Sequence, residues 1–203
     1  MKKRYVLASL YLVLVSASAH ALKLQPIASL GLDWGGAKMA SFSYAGHKDK
    51  SFRAGSLVLF TGGVAFANPF RSFDLSTRLS LGFKTASLSA SNANLDFFRG
   101  VAEIEESYAI TATPFRAGLG LSYHFFNRIR GTGIASTFSS AVEPSFGYFV
   151  DGEYVIVHGK NYPTHLSSVV VGIRFTQQSY RVKNNPTDPI AASSAGLHLK
   201  LLW

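Results

Sequence analysis

Between Phe73 and Lys84 the chain alternates without a break. Phe73, Leu75, Thr77, Leu79, Leu81 and Phe83 interleave with Asp74, Ser76, Arg78, Ser80, Gly82 and Lys84. Successive side chains of a strand point to opposite faces, so this pattern predicts a strand with one apolar and one polar face. A globular strand usually has about 5–6 residues, whereas a tilted strand crossing a bilayer needs about 9–11. The polar face mixes opposite charges with Gly and Ser. That mixture suits a narrow, tightly filled barrel interior better than the outer face of a soluble sheet.

Two other stretches repeat the pattern clearly. Phe115, Ala117, Leu119, Leu121, Tyr123 and Phe125 oppose Arg116, Gly118, Gly120, Ser122 and His124. At the end of the chain Leu197, Leu199, Leu201 and Trp203 oppose Gly196, His198, Lys200 and Leu202. Less regular strands are predicted near 28–34, 56–66, 97–111, 138–150 and 166–178. In the strand near 138–150, Val142, Pro144, Phe146 and Tyr148 are expected outside, and Glu143, Ser145 and Gly147 inside. Pro144 cannot donate to a ladder and should break the regularity there. Glu106 falls on an apolar face and requires a bulge or an interfacial position. The segments 46–53, 87–96, 127–137 and 182–189 read as loops. Asp151–Pro163 opens on an Asp-Gly turn signal and is expected to form a periplasmic excursion with a small hairpin or β-bend.

Eight long strands result, with short and long connections alternating, as in bacterial outer-membrane barrels. The fold class expected is therefore all-β: an eight-stranded antiparallel transmembrane β-barrel. Lys2, Lys3 and Arg4, an apolar run from Tyr5 to Val15 and Ala19-His20-Ala21 form a signal peptide pattern. Residues 1–21 are expected to be removed, leaving a barrel over 22–203. The apolar run is too short for a membrane helix, and no later run approaches the ~18 apolar residues one needs. The balance of 47% hydrophobic against 15% charged residues in 203 is low in charge for a soluble protein, where about a quarter is usual. A chain that is apolar on average but never for long is what an alternating membrane barrel produces.

The absence of cysteine excludes disulfides, thiolate metal sites, Cys nucleophiles and lipid attachment through an N-terminal Cys. The formal charge of +9 raises nucleic acid as a partner. The cations are scattered over loops and polar strand faces rather than gathered in a stripe, so nucleic acid is not expected. No cofactor is expected either: Gly118 and Gly120 lie within a strand, the wrong context for a phosphate loop.

Taken together, the signal pattern, the eight amphipathic strands and the final Leu197–Trp203 strand with its terminal aromatic residue resemble the small outer-membrane barrels of the OmpA/OmpX type. The segments 117–125 and 172–176 are likewise similar to strands of proteobacterial proteins of this class. The resemblance implies an outer-membrane location, and an assembly signal at Leu199, Leu201 and Trp203 read by the barrel-assembly machinery. It implies no wall-tethering role, because there is no peptidoglycan-binding domain.

Unpaired charges in a narrow low-dielectric interior are costly, so the expected lumen charges should form a network. These are Asp74, Arg78, Lys84, Arg99, Glu103, Glu105, Arg116, Glu143, Arg174 and Lys200. Arg78 is expected level with Glu103 and Glu105. Eight strands leave an interior just wide enough for side chains to fill, so a closed plug is expected rather than an ion pathway. His165-Leu166-Ser167 is similar to the His-x-Ser of the outer-membrane lipid A deacylases. Ser168 stands where that family has Asn, and Gln178 lies where its Glu would be, so the expectation is a rim histidine and no enzyme. Outward aromatics at Phe73, Phe83, Tyr108, Phe115, Phe125, Tyr148 and Trp203 are expected to form interfacial girdles. The loop cations Lys48, Lys50, Arg53, Arg128 and Arg130, with Arg181 and Lys183, are candidates for pairing with lipopolysaccharide phosphates. A monomer in contact with outer-membrane lipid is expected.

Overall fold

The computed structural model describes residues 24–44, 47–67, 75–90, 92–110, 112–158, 167–183 and 189–203. The signal-peptide residues, Phe73, Asp74 and His165 lie outside these. In chain order the strands are β1 (Leu24–Gly35), β2 (Lys38–Tyr44), β3 (His47–Arg53), β4 (Leu57–Ala67), β5 (Leu75–Ala90), β6 (Ala93–Ala109), β7 (Phe115–Gly133), β8 (Ser140–Ala141), β9 (Ser145–His158), β10 (Ser168–Tyr180), β11 (Ile190–Ala191) and β12 (Ser194–Leu202). Eight of them close a barrel. β1 pairs β4, the sequence β4, β5, β6, β7 continues the wall, β7 pairs β9, β9 pairs β10, β10 pairs β12, and β12 returns to β1. Every one of these pairings is antiparallel. Among the described residues no helix is long and apolar enough to cross a membrane.

The wall is apolar outside and polar inside over most of its height. Leu81 is 65% and Leu119 62% exposed, and every barrel strand adds outward Leu, Ile, Val or aromatic side chains. Exposed apolar side chains on every wall strand exceed the scattered few of a soluble monomer. Of the predicted outward aromatics, Phe83, Tyr108, Phe115, Tyr148 and Trp203 are exposed, while Phe125 is half-buried. Inward glycines make room for the large side chains of the interior. A Cβ on Gly120 would lie 2.2 Å from the Phe149 ring, and one on Gly172 would lie 2.5 Å from His198 Nε2.

Above a certain level this polarity reverses. Along β6 the inward residues run Ser107, Glu105, Glu103, Val101 and Arg99, and then become Phe97, Leu95 and Ala93. Outside, Phe98 gives way to Asp96 and Asn94. On β7 a bulge opposite Arg99 coincides with Phe126 at φ 50°. It puts Phe126, Arg128 and Arg130 outside and turns Asn127 and Ile129 inside. The upper ends of β5, β6 and β7 therefore follow the polarity of a soluble sheet.

Several expectations change for this reason. Residues 87–96 are a continuation of the β5–β6 ladder, with Ser87 opposite Asp96 and Leu88 opposite Leu95, and not a loop. Residues 127–133 likewise extend β7, and 46–53 contain β3, which pairs β2. Val142 is buried inside and Glu143 is exposed, the reverse of the expected facing, because the chain before Pro144 belongs to the upper zone. As anticipated, Pro144 falls between strands β8 and β9. Glu106 involves no register shift. It sits on the outer face near Tyr108 at the lower rim, and its Oε1 accepts a 2.8 Å hydrogen bond from Thr77 Oγ1.

The largest correction concerns residues 151–158 of the excursion expected over Asp151–Pro163; residues 159–163 lie outside the described ones. β9 runs straight through Asp151-Gly152 to His158, pairing β7 on one side and β10 on the other. The alternation of Val150, Tyr154 and Ile156 with Asp151 and Glu153 simply continues the strand, and Gly152 lies on its outer face. Two ladders of backbone hydrogen bonds outweigh a two-residue turn preference.

Candidate functional site

The side chains gathered in the lumen come from seven strands. Lys200, on β12, occupies the centre. Its Nζ donates to Glu153 Oε1 at 2.5 Å, Glu105 Oε2 at 2.8 Å and Asp151 Oδ2 at 2.9 Å. Arg78 Nη1 donates to Glu105 Oε1 at 2.6 Å and to Glu153 Oε1 at 2.7 Å. Arg174 meets Asp151 through two parallel bonds, Nε to Oδ1 at 2.8 Å and Nη2 to Oδ2 at 2.9 Å. Its Nη1 reaches both oxygens of Glu103 at 2.9 and 3.0 Å. The guanidinium also lies 3.8 Å from the centroid of the Phe149 ring, the ring that Gly120 admits. These side chains are all buried.

A second pair, Lys84 Nζ to Asp33 Oδ2 at 2.9 Å, links β5 and β1. Higher still, Arg99 has no carboxylate partner within the described network. It donates to the Tyr180 hydroxyl, which is 2.6 Å from His124 Nδ1. The guanidinium stacks on Phe97 at 4.2 Å and on Tyr180 at 4.7 Å, so aromatic faces take the place of a carboxylate. Among the described residues the buried lumen charges balance: Arg78, Lys84, Arg99, Arg174 and Lys200 against Asp33, Glu103, Glu105, Asp151 and Glu153.

Apolar layers close both ends. Below the network Ile27, Ala65, Val170 and Leu202 pack together, with Val155 against them. Above it Phe52, Ala54, Leu95, Phe97, Ile129, Val142, Tyr180 and Ala192 form a larger cluster. Phe52 and Ala54 belong to the β2–β3 hairpin and the turn after it, which fold over the upper opening. The base of that hairpin is tied down by Ala37 N–H donating to Ala191 O at 2.6 Å. The charges thus lie between two apolar layers in a low-dielectric compartment, where attraction between them is strong and any unpaired member is costly.

Of the charges predicted for the lumen, Arg78, Glu103, Glu105, Arg174 and Lys200 meet in one network, while Lys84 and Arg99 sit in separate contacts above it. Arg116 is half-buried near the lower rim, opposite Glu153 in the ladder register. Glu143 is exposed at the upper end and takes no part. Asp151 and Glu153 were hidden from sequence reading by the Asp-Gly turn signal, although their alternation with Val150 and Tyr154 could have revealed them. Asp33 likewise lies on a polar face already visible in the sequence.

Asp151, Glu153 and His198 present ligand atoms within 4.8 Å of one another, a spacing that could hold a metal ion. The Lys200 ammonium already lies against both carboxylates and supplies the positive charge an ion would bring. His198 Nε2 stands 3.4 Å from Glu153 Oε1. The arrangement is an internal salt, suited to holding strands together.

Leu199 and Leu201, expected with Trp203 as an assembly signal, face outward on β12, and Trp203 follows it, exposed, with its N–H donating to Pro26 O at 3.0 Å. Arg53, Arg128 and Arg130 are exposed, and Arg53 Nη1 donates to Gly36 O at 3.1 Å. The side chains of Lys48 and Lys50 lie outside the described ones.

The chain matches no known protein-family model, and no curated protein matches it. Among solved structures, the crystal structure of Neisserial surface protein A (NspA) is similar. The two share 14% identity with a TM-score of 0.47, over 90% of this chain and 98% of that one.

Proposed function

We propose that this chain is an integral barrel of a Gram-negative outer membrane, monomeric, closed and without enzymatic activity. In this reading it serves a structural or surface-interaction role. The observation that carries the reading is the filled lumen: five buried cations and five buried carboxylates, with an apolar layer at each end. The outward apolar band supports placement in lipid. With the bore filled, the working surfaces are the upper hairpins and the outer wall. The exposed cations there meet lipopolysaccharide phosphates, and the Leu199, Leu201 and Trp203 face of the last strand is presented to the barrel-assembly machinery.

The test has two parts. Membrane fractionation with heat-modifiable gel migration should place a folded barrel in the outer membrane. Purified protein in a planar bilayer should then give no steady single-channel conductance. A large steady conductance would replace this reading with that of a narrow solute channel. A mass shift in lipid A on overexpression would replace it with that of a lipid-modifying enzyme.

A further inference from the structure

We propose that Arg128 and Arg130 form a clamp for a phosphate group on an outer-leaflet lipid. The proposal rests on the outer-membrane reading above and deepens it, by singling out one place on the wall from a scattered set of cations. The bulge at Phe126 turns both arginines to the outside. Residues two apart on a strand lie roughly 7 Å apart on one face, close enough for two guanidiniums to converge on one phosphate with paired charge-assisted bonds.

Their height on the wall is the second observation. Arg128 lies opposite Phe98 in the ladder, and Arg130 lies opposite Asp96. The reversal of polarity on β6 falls between those two positions, so the arginines bracket the upper edge of the apolar band. A row of aromatic rings marks the same edge: Phe60 is 5.3 Å from Phe83, Phe83 is 5.8 Å from Phe98, and Phe125 is 5.1 Å from Phe126. Aromatic girdles lie at headgroup depth, which puts both guanidiniums where lipid phosphates are.

The third observation is the shape of the place. A hollow of about 590 Å³ is lined by both arginines, Phe126 and the small residues Ser139, Ser140 and Ala141 in and before β8, which pairs alongside β7. Phe126 is 79% exposed and flanks the hollow on the side of the apolar band. A free anion would gain nothing from this ring, whereas a lipid can lay a chain along it. Asp96 and Glu143 are the carboxylates nearest along the ladders. Among the described residues neither guanidinium has an ion pair or hydrogen bond, not even Arg130 with Asp96 opposite it.

The probe is bisphosphorylated lipid A, offered to the full-length folded protein in liposomes and then in nanodiscs. Flotation with the liposomes reports insertion. Native mass spectrometry of the nanodisc protein reports the lipid retained. The wild type should retain bisphosphorylated lipid A, fail to retain its dephosphorylated form, and keep it against excess inorganic phosphate. The R128Q/R130Q variant, with heat-modifiable migration unchanged, should lose retention by roughly tenfold per arginine, as expected for bonds between charged groups. Equal retention by R128Q/R130Q, or of the dephosphorylated lipid, would overturn the clamp alone. Displacement by inorganic phosphate would make the place a free-anion site and overturn the lipid assignment. Failure of the wild type to float would overturn the outer-membrane reading, and the clamp with it.

Discussion

Lys200 Nζ lies 2.5 Å from Glu153 Oε1, so the last strand of the barrel is tied through its ammonium to a carboxylate two strands away. The same ammonium touches Glu105 and Asp151, which makes Lys200 the shared cation of three strands. Removing it leaves the four buried carboxylates of the network facing only Arg78 and Arg174. Lys200→Met should destabilise the folded barrel by about 3–5 kcal/mol, the usual cost of breaking one side of a buried pair. The urea midpoint of unfolding from lipid vesicles measures this. Adding Glu153→Gln to Lys200→Met should recover part of the loss, since the two changes share one interaction. Strictly additive losses would show that the network does not act as a unit.

Sealing depends on two kinds of layer, and the apolar ones should matter more for permeation. Arg174 and Glu103 can be replaced by Ala together while Phe97 and Leu202 still close the ends. That variant should show no steady conductance in a planar bilayer, although it is less stable. Adding Phe97→Ala should let brief openings appear, because the Phe97 ring also covers Arg99. Steady current through Arg174→Ala/Glu103→Ala alone would show that the charges themselves are the gate.

How much of this could be read from the chain depends on where one polarity rule holds. Phe115–Phe125 and Leu197–Trp203 were legible because lipid outside and charges inside enforce strict alternation over their full length. The same rule hid the upper ends of β5, β6 and β7. There Leu95 and Phe97 point inward and Asp96 outward, and a reader expecting polar-in sees only a loop. Arg78 with Glu105 was legible from hairpin register, but its second partner Glu153 was not. That contact crosses the lumen between strands that do not touch, and local sequence contains no trace of such a distance.

The last strand offers a test that separates assembly from stability. Trp203 is 40% exposed on the outer face, and its backbone N–H is bonded to Pro26 O. A side-chain change leaves that backbone bond in place, and the half-exposed ring contributes only part of its burial energy. Trp203→Ala should therefore refold in detergent with near-normal yield. In cells the same variant should reach the outer membrane in markedly reduced amount, with the remainder in the periplasm. Equal losses in the detergent and in cells would mean that Trp203 acts through barrel stability and not through recognition by the assembly machinery.

Gly120 and Phe149 provide the sharpest test of packing in the lumen. A Cβ at position 120 would lie 2.2 Å from Phe149 Cζ and 2.7 Å from Ile104 O, so the ring would have to move. The ring is also the surface on which Arg174 rests, 3.8 Å from its centroid. Shifting it disturbs the paired bonds from Arg174 to Asp151 as well as the local packing. Gly120→Ala should cost about 1–3 kcal/mol, the range for overfilling a packed interior. Phe149→Leu should also destabilise, through loss of the stacked ring. Together the two should cost less than their sum, since the smaller side chain makes room for the new methyl group. Full additivity, measured by urea unfolding of the three variants, would mean that the ring is not what Gly120 accommodates.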